Sequence, residues 1–490
     1  MDSRWSNPRR RCSLGIRALA FGCFAAPVLL SGVAVAQANP YHLLAHDVFQ
    51  QLIEINTTDS VGNVTTAAEA MAQRFRDAGF PESDIQVLGP NERKRNLVVR
   101  LHGTGAKKPI LLNGHLDVVE ARREDWTTDP FQFVEKDGFY YGRGTQDMKS
   151  DDAIFVTELI HFYKEGYKPD RDLILALTAD EEGGKFNGVD WLLRNHRELI
   201  DADFVLNPDN GSVDTIDGKP VDVAMDATEK LYADFRLEAT NPGGHSSLPV
   251  PDNAIYHVAD ALGRLQQYQF PAELNAVTRA YFAAMSEIQK GQTAADMKAI
   301  LKGPPDAAAV KRLSTNPEYN AILRTTCVAT RFDAGHANNA LPQRAAANVN
   351  CRILPEHTRE EIRQKLIAIF ADASIAVHYV TPDGQLLDRA PEEKGMAPVA
   401  LRPDIMQPLR EVVRQMWNVP VVPSMNTGAS DAVYTDAAGM PTYGITGIGI
   451  DVGDVRAHGK DERVRAQSFY EGVDFYYRYL KLLTGAPAVQ

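Results

Sequence analysis

Along the first half of this chain, short apolar runs alternate with stretches of helical spacing, and that alternation limits the fold more than any other feature. Residues 96–101, 110–112, 173–178 and 204–206 read as strands, with helices expected over 152–164 and 189–195. Strands this short and this apolar bury both faces only when they lie side by side under helices, which is an α/β sheet. Ahead of them Leu43, Leu44, Val48, Leu52 and Ile53 recur on one helical face. A second helix, expected from about Ala67 to Ala78, follows a polar loop.

The periodicity changes near Lys230. Leu231, Ala233, Phe235, Leu237 and Ala239 alternate with Tyr232, Asp234, Arg236 and Glu238, the period of two expected for a strand with one wet face. Helices are expected over 254–267 and after Asn275. In a second alternating strand Ala347, Val349, Cys351 and Ile353 oppose Asn348, Asn350 and Arg352. Thr358 and Glu361 have the spacing of a capping box opening a helix with an Ile362, Leu366, Ile369 and Phe370 stripe. A helix over 404–417 and a glycine-rich strand region over 441–449 then resume the first pattern. The expected architecture is therefore α/β: a large domain (39–228 and 383–490) with a mixed, mostly parallel sheet, and a smaller α+β domain inserted at 229–382.

The first 38 residues stand apart. Five arginines between Arg4 and Arg17 precede an apolar run from Ala18 to Ala36, and small residues at 34–38 fit a cleavage site, so 1–38 reads as a secretory leader. A retained anchor fits less well, because Gly22, Pro27, Ser31 and Gly32 interrupt the run. The mature chain would be secreted or periplasmic, with no membrane segment. Its formal charge would go from −12 to −16 with the leader removed, which argues against a nucleic-acid partner. Only Cys327 and Cys351 would remain; an oxidising compartment permits a bridge, and two unpaired core cysteines are the equal alternative.

Chemistry gathers where the strands end. His115 and Asp117 follow 110–112; Asp180, Glu181 and Glu182 follow 173–178; Asp209 follows 204–206. Ligands of open α/β sheets collect at that edge. Asp147 sits on a glycine-rich turn before a helix, and His458 lies in the last stretch of the chain. Singly, each has an ordinary explanation, a solvated face or an acid serving a helix dipole. Jointly they form a nitrogen and oxygen ligand set suited to zinc, with cobalt or manganese as substitutes.

Six segments carry a resemblance: Gly-His-Leu-Asp at 114–117, Gly-Arg-Gly-Thr-Gln-Asp-Met-Lys at 142–149, Asp-Glu-Glu at 180–182, Gly-Gly-His-Ser-Ser at 243–247, Asn-Ala-Leu-Pro at 339–342 and His-Gly at 458–459. In this order they resemble the dizinc metallopeptidase family of aminoacylase, carnosinase, glutamate carboxypeptidase and succinyl-diaminopimelate desuccinylase. Residues 126–131, Trp-Thr-Thr-Asp-Pro-Phe, resemble the branch of carboxypeptidase S and secreted N-acyl-amino-acid hydrolases.

The resemblance implies two zinc ions per subunit. His115 and Asp209 would hold one and Glu182 and His458 the other, with Asp147 bridging, Asp117 orienting His115 and Glu181 acting as general base. Pro208 departs from the pattern of many relatives, which leaves Asp203 as the fallback for Asp209. The inserted domain would be a lid and dimerisation domain. From it His245 would stabilise the oxyanion, and Asn339 and Arg352 would hold the substrate carboxylate; Gly428 and Ser430 would line the pocket. The expected activity is that of an exported zinc exopeptidase, a carboxypeptidase or dipeptidase, cleaving an amide beside a free carboxylate, as a homodimer. An N-acyl-amino-acid deacylase with the same site is the alternative. A non-catalytic binding protein would be expected to lack a ligand or the base, and this sequence lacks neither.

Overall fold

The computed structural model describes residues 39–392 and 397–485. The leader expected at 1–38 lies outside the described residues, among which no helix is long and apolar enough to cross a membrane.

The central sheet has six strands in the spatial order Ile85–Leu88, Asn96–Leu101, Leu173–Thr178, Ile110–His115, Phe204–Leu206 and Thr442–Tyr443. The last four run parallel; the first two are antiparallel at one edge. Ile110–His115 is buried at every residue and pairs with a strand on each side, in register from Ile110 opposite Leu173 to His115 opposite Thr178. The strand therefore runs three residues beyond its apolar part, and His115 is its last member. The C-terminal ends of the parallel strands open on one edge, where backbone pairing stops and side chains can converge.

Helices cover both faces. Pro40–Glu54 buries Val48, Phe49, Leu52 and Ile53. Val64–Ala78 begins three residues before the expected start because the Asn63 side chain accepts the Thr66 N–H, and it stops at Gly79, whose φ of +95° suits a residue without a Cβ. Lys149–Lys164 is interior on nearly all sides, with 13 of its 16 residues buried. It opens with Lys149, Ser150, Asp151 and Asp152, so its polar first turn hid its start from the hydrophobic pattern.

A second sheet was not anticipated. Val421–Asn426, Lys219–Glu229, Ser212–Ile216 and Gly449–Asp451 form four strands beside the first sheet. The helices between 276 and 323, expected to belong with the inserted domain, share an apolar cluster with Val422 and Met425 of this second sheet.

The inserted part is a five-stranded antiparallel sheet in the order Thr326–Ala334, Arg344–Ile353, Leu231–Thr240, Ile375–Val380 and Leu386–Leu387. Ala254–Gln267 and Arg359–Phe370 cover its apolar face, and the capping box of Thr358 and Glu361 opens the second of these helices. Cys327 and Cys351, directly opposite in register, form a disulfide.

Candidate metal centre

Three parallel strands deliver one arm each. His115 ends the central strand, Glu181 and Glu182 follow the Leu173–Thr178 strand, and Asp209 follows the Phe204–Leu206 strand in a 3-10 turn where its own N–H donates to the Asn207 side chain. Two loops supply the rest. Asp147 comes from the turn before the interior helix, and His458 from the segment after Gly449–Asp451, where it adopts a φ of +62°.

Asp147 stands between two imidazoles: Oδ1 lies 3.0 Å from His115 Nε2, and Oδ2 lies 3.0 Å from His458 Nε2. Glu182 Oε2 is 2.9 Å from His458 Nε2. Glu181 Oε2 and Asp209 Oδ1 are each 4.0 Å from His115 Nε2. The ligand atoms fall into two overlapping groups, His115 with Asp147 and Glu182, and His115 with Glu181 and Asp209. Asp203, the fallback, sits at the other end of its strand and pairs with Arg402 at 3.0 Å.

His115 Nδ1 lies 3.0 Å from the carbonyl oxygen of Asp117. A carbonyl only accepts, so Nδ1 carries the hydrogen and the Nε2 lone pair faces the acids, the tautomer a metal ligand needs. Asp117 thus reaches His115 through its main chain; its carboxylate is 3.8 Å from Nδ1 and instead accepts the N–H groups of Glu181 at 3.2 Å and Glu182 at 3.0 Å. Burial raises the Asp117 carboxyl to about 6, against the pull of His115 and those two amides.

Four carboxylates and two imidazoles crowd this space, and the charges show the strain. Burial and Asp147 push Asp209 up to about 8, and burial with Asp209 pushes Glu181 well above the carboxylate range. Hydrogen bonds to Asp147 and Glu182 raise His458 to about 10. The group demands positive charge. His115 Nε2 and Asp147 Oδ1 are buried and have no hydrogen-bond partner. Orphaned atoms facing each other in such a donor set fit a pair of divalent cations bound by nitrogen and oxygen, zinc foremost.

The chain matches the model of peptidase family M20/M25/M40 over residues 111–482. It belongs to that family. Its members are hydrolases, and the M20 relatives resemble it along most of its length. Probable carboxypeptidase S-like 2 of Dictyostelium discoideum is 26% identical over 476 residues, 88% of this chain and 89% of that one. Human N-fatty-acyl-amino acid synthase/hydrolase PM20D1 is 28% identical over 385 residues, 76% of this chain and 74% of its own. Human aminoacylase-1 is 25% identical over 454 residues, covering 90% and 96%. Among solved structures, the M20 metallo-carboxypeptidase Sso-CP2 of Sulfolobus solfataricus shares the fold with a TM-score of 0.64 at 16% identity, covering 90% of this chain and 99% of that one.

The other expected site residues of this M20 chain lie elsewhere. His245 and Asn339 are exposed on a two-stranded ribbon, Gly244–His245 with Ala340–Leu341, where Ser246 donates to the Asn339 carbonyl at 3.1 Å and Ser247 Oγ meets His245 Nδ1 at 2.7 Å. Arg352 lies on the wet face of the five-stranded sheet, 4.7 Å over the Tyr232 ring. Among the described residues no hydrogen bond or ion pair joins these three to the six-residue cluster. Ser430 and Gly428 come closer. Asn210, next to Asp209, donates to Ser430 Oγ at 2.6 Å and accepts from Asn426, whose Oδ1 takes the Gly428 N–H at 2.7 Å.

Several supporting residues escaped the sequence reading. Glu462, fully buried, accepts the N–H groups of Gly144 at 3.1 Å, Gln146 at 2.6 Å and Asp147 at 3.2 Å, with Arg143 closing the ion pair at 2.5 Å. Asp431, also buried, accepts from Thr178 at 3.2 Å and Asn187 at 2.6 Å behind Glu181. The only available signal was proximity in sequence, Glu462 to His458 and Asp431 to Ser430.

Proposed function

We propose that this M20-family chain is an exported dizinc exopeptidase that hydrolyses an amide next to a free carboxylate. The observation that carries the reading is Asp147 with one oxygen on each of two imidazoles, 3.0 Å from His115 and 3.0 Å from His458. His115 and Asp209 would hold one ion and Glu182 and His458 the other, with Asp147 shared between them. When bound, such a pair supplies Lewis-acid polarisation of the scissile carbonyl and makes water acidic enough to attack near neutral pH.

The chain's own residues do the rest. Glu181, raised by burial and by Asp209, takes the proton of the attacking water on its carboxylate and returns it to the leaving amine nitrogen. Asp117 holds the Glu181 and Glu182 amides, so the base cannot drift from the carbonyl it serves. His245 would face the oxyanion, and Asn339 and Arg352 the substrate carboxylate, from the inserted domain, taken as residues 229–382. That domain would also pair two subunits. Support for pairing comes from the Thr326–Ala334 edge strand, which leaves Val328 61% and Phe332 45% exposed. Support for export comes from the Cys327–Cys351 disulfide, a bond of oxidising compartments, together with the leader-like residues 1–38.

A deacylase acting on N-acyl amino acids is the second reading, favoured by the similarity to proteins named N-fatty-acyl-amino acid synthase/hydrolase and aminoacylase-1. Both substrates present an amide beside a carboxylate. Purified protein assayed against dipeptides and N-acyl amino acids, with metal analysis before and after chelation, separates the two. Hydrolysis that survives complete chelation would overturn both.

A further inference from the structure

Resting on the metal reading above, we infer that Gln146 is a positioning residue that sets the place of His458 and thereby the second ion site. Its side-chain amide has two acceptor positions and two donors, and all four are spent on the main chain of the segment that carries His458. Oε1 accepts the N–H groups of Arg456 at 2.6 Å and Ala457 at 2.9 Å. Nε2 donates to the carbonyls of Asp454 at 3.1 Å and Arg463 at 2.8 Å. The orientation of the amide is forced, since two main-chain donors face one end and two carbonyls the other.

The segment answers in kind. Glu462 accepts the main-chain N–H groups of Gln146 and Asp147 on one oxygen, so the two stretches, 310 residues apart at Gln146 and Arg456, clasp each other from both sides.

His458 needs such a clasp and His115 does not. The His115 side chain is 2% exposed and anchored at the end of a strand paired on both sides; the His458 side chain is 56% exposed and sits in a turn between the Gly449–Asp451 and Arg463–Arg465 strands. What holds the His458 imidazole 3.0 Å from Asp147 and 2.9 Å from Glu182 is the path of its own main chain, and Gln146 fixes that path at the preceding residue, Ala457. Losing Gln146 should therefore weaken one ion and spare the other. Glutamate cannot substitute, because a carboxylate would face the Asp454 and Arg463 carbonyls without a hydrogen.

The test uses the full chain, the Gln146→Ala variant and the Gln146→Glu variant. In metal-stripped protein, hydrogen exchange at Arg456 and Ala457 should rise at least about tenfold in both variants, while strands Ile110–His115 and Leu173–Thr178 keep the parent's protection. In zinc titrations against a competing chelator, the parent should bind two ions. The variants should bind one with the parent's affinity and the other roughly 10–100-fold more weakly, with turnover recovered by excess zinc. Unchanged exchange overturns the clasp. Loosened exchange with both ions equally affected, or neither, overturns the positioning role. A parent that binds no zinc overturns the metal reading and the positioning role together, and the exchange result still shows whether the clasp exists.

Discussion

Lys94 is ion-paired with Asp180 in the interior, with the two side chains 7% and 1% exposed, and Asp180 is the residue from which Glu181 and Glu182 depart. The chain bends there with a φ of +59°, and the second Asp180 oxygen takes the Phe186 N–H at 3.2 Å. A distant loop thus clamps the root of the acidic pair. Lys94→Met should cost about 3–5 kcal/mol in denaturant unfolding, because an unpaired carboxylate would stay buried. The double variant Lys94→Met with Asp180→Asn should recover part of that loss; equal losses in the single and double variants would rule the ion pair out as the cause.

Glu181→Gln should keep zinc and lose turnover. Gln cannot take a proton from water, so kcat should fall by about 10²–10⁴ while metal content per chain stays at the parent's value. A variant retaining most of the parent's kcat would remove Glu181 from the base role.

Asp151 gives a dependence on pH that does not involve the metal-facing residues. Burial raises its carboxyl from 3.8 to about 7, opposed only by the hydrogen bond from Thr446 at 2.8 Å. Between those values the folded chain keeps a proton that the unfolded chain has released, so stability is present below the lower value and is lost as pH rises through the upper one. Asp151→Asn keeps an acceptor for Thr446 and has no charge to bury. Urea midpoints at pH 4 and pH 8 should show the parent losing on the order of 2–4 kcal/mol more than the variant.

Reduction of Cys327–Cys351 should loosen the edge of the five-stranded sheet. The bond closes a sequence separation of 24 residues, a constraint on the unfolded chain of about 3 kcal/mol. Thermal melts with and without reductant should differ accordingly, whereas the paired Cys327→Ala and Cys351→Ala variant should be insensitive to reductant.

The sequence was legible where chemistry follows an apolar strand. His115, Glu181, Glu182 and Asp209 each stand within four residues of such a run, and the alternation through Leu231 and Ala239 marked the inserted sheet without help from the fold. Lys219–Glu229 carried a similar signal, since Val223, Met225 and Ala227 are buried at alternate positions, but its Pro220 and scattered acids masked it. Lys94, Gln146 and Glu462 were beyond reach for a different reason. Their partners lie 86, 310 and 319 residues away, so nothing local distinguishes them from ordinary surface residues.

The centre draws its six groups from positions spread between 115 and 458, and the clasp that seats the last of them uses Glu462 and Arg463 at the entry to the Arg463–Arg465 strand. No N-terminal portion that stops before His458 contains all six groups. The centre proposed on these six residues is therefore assembled from distant stretches of the chain, and a truncation ahead of His458 would remove it.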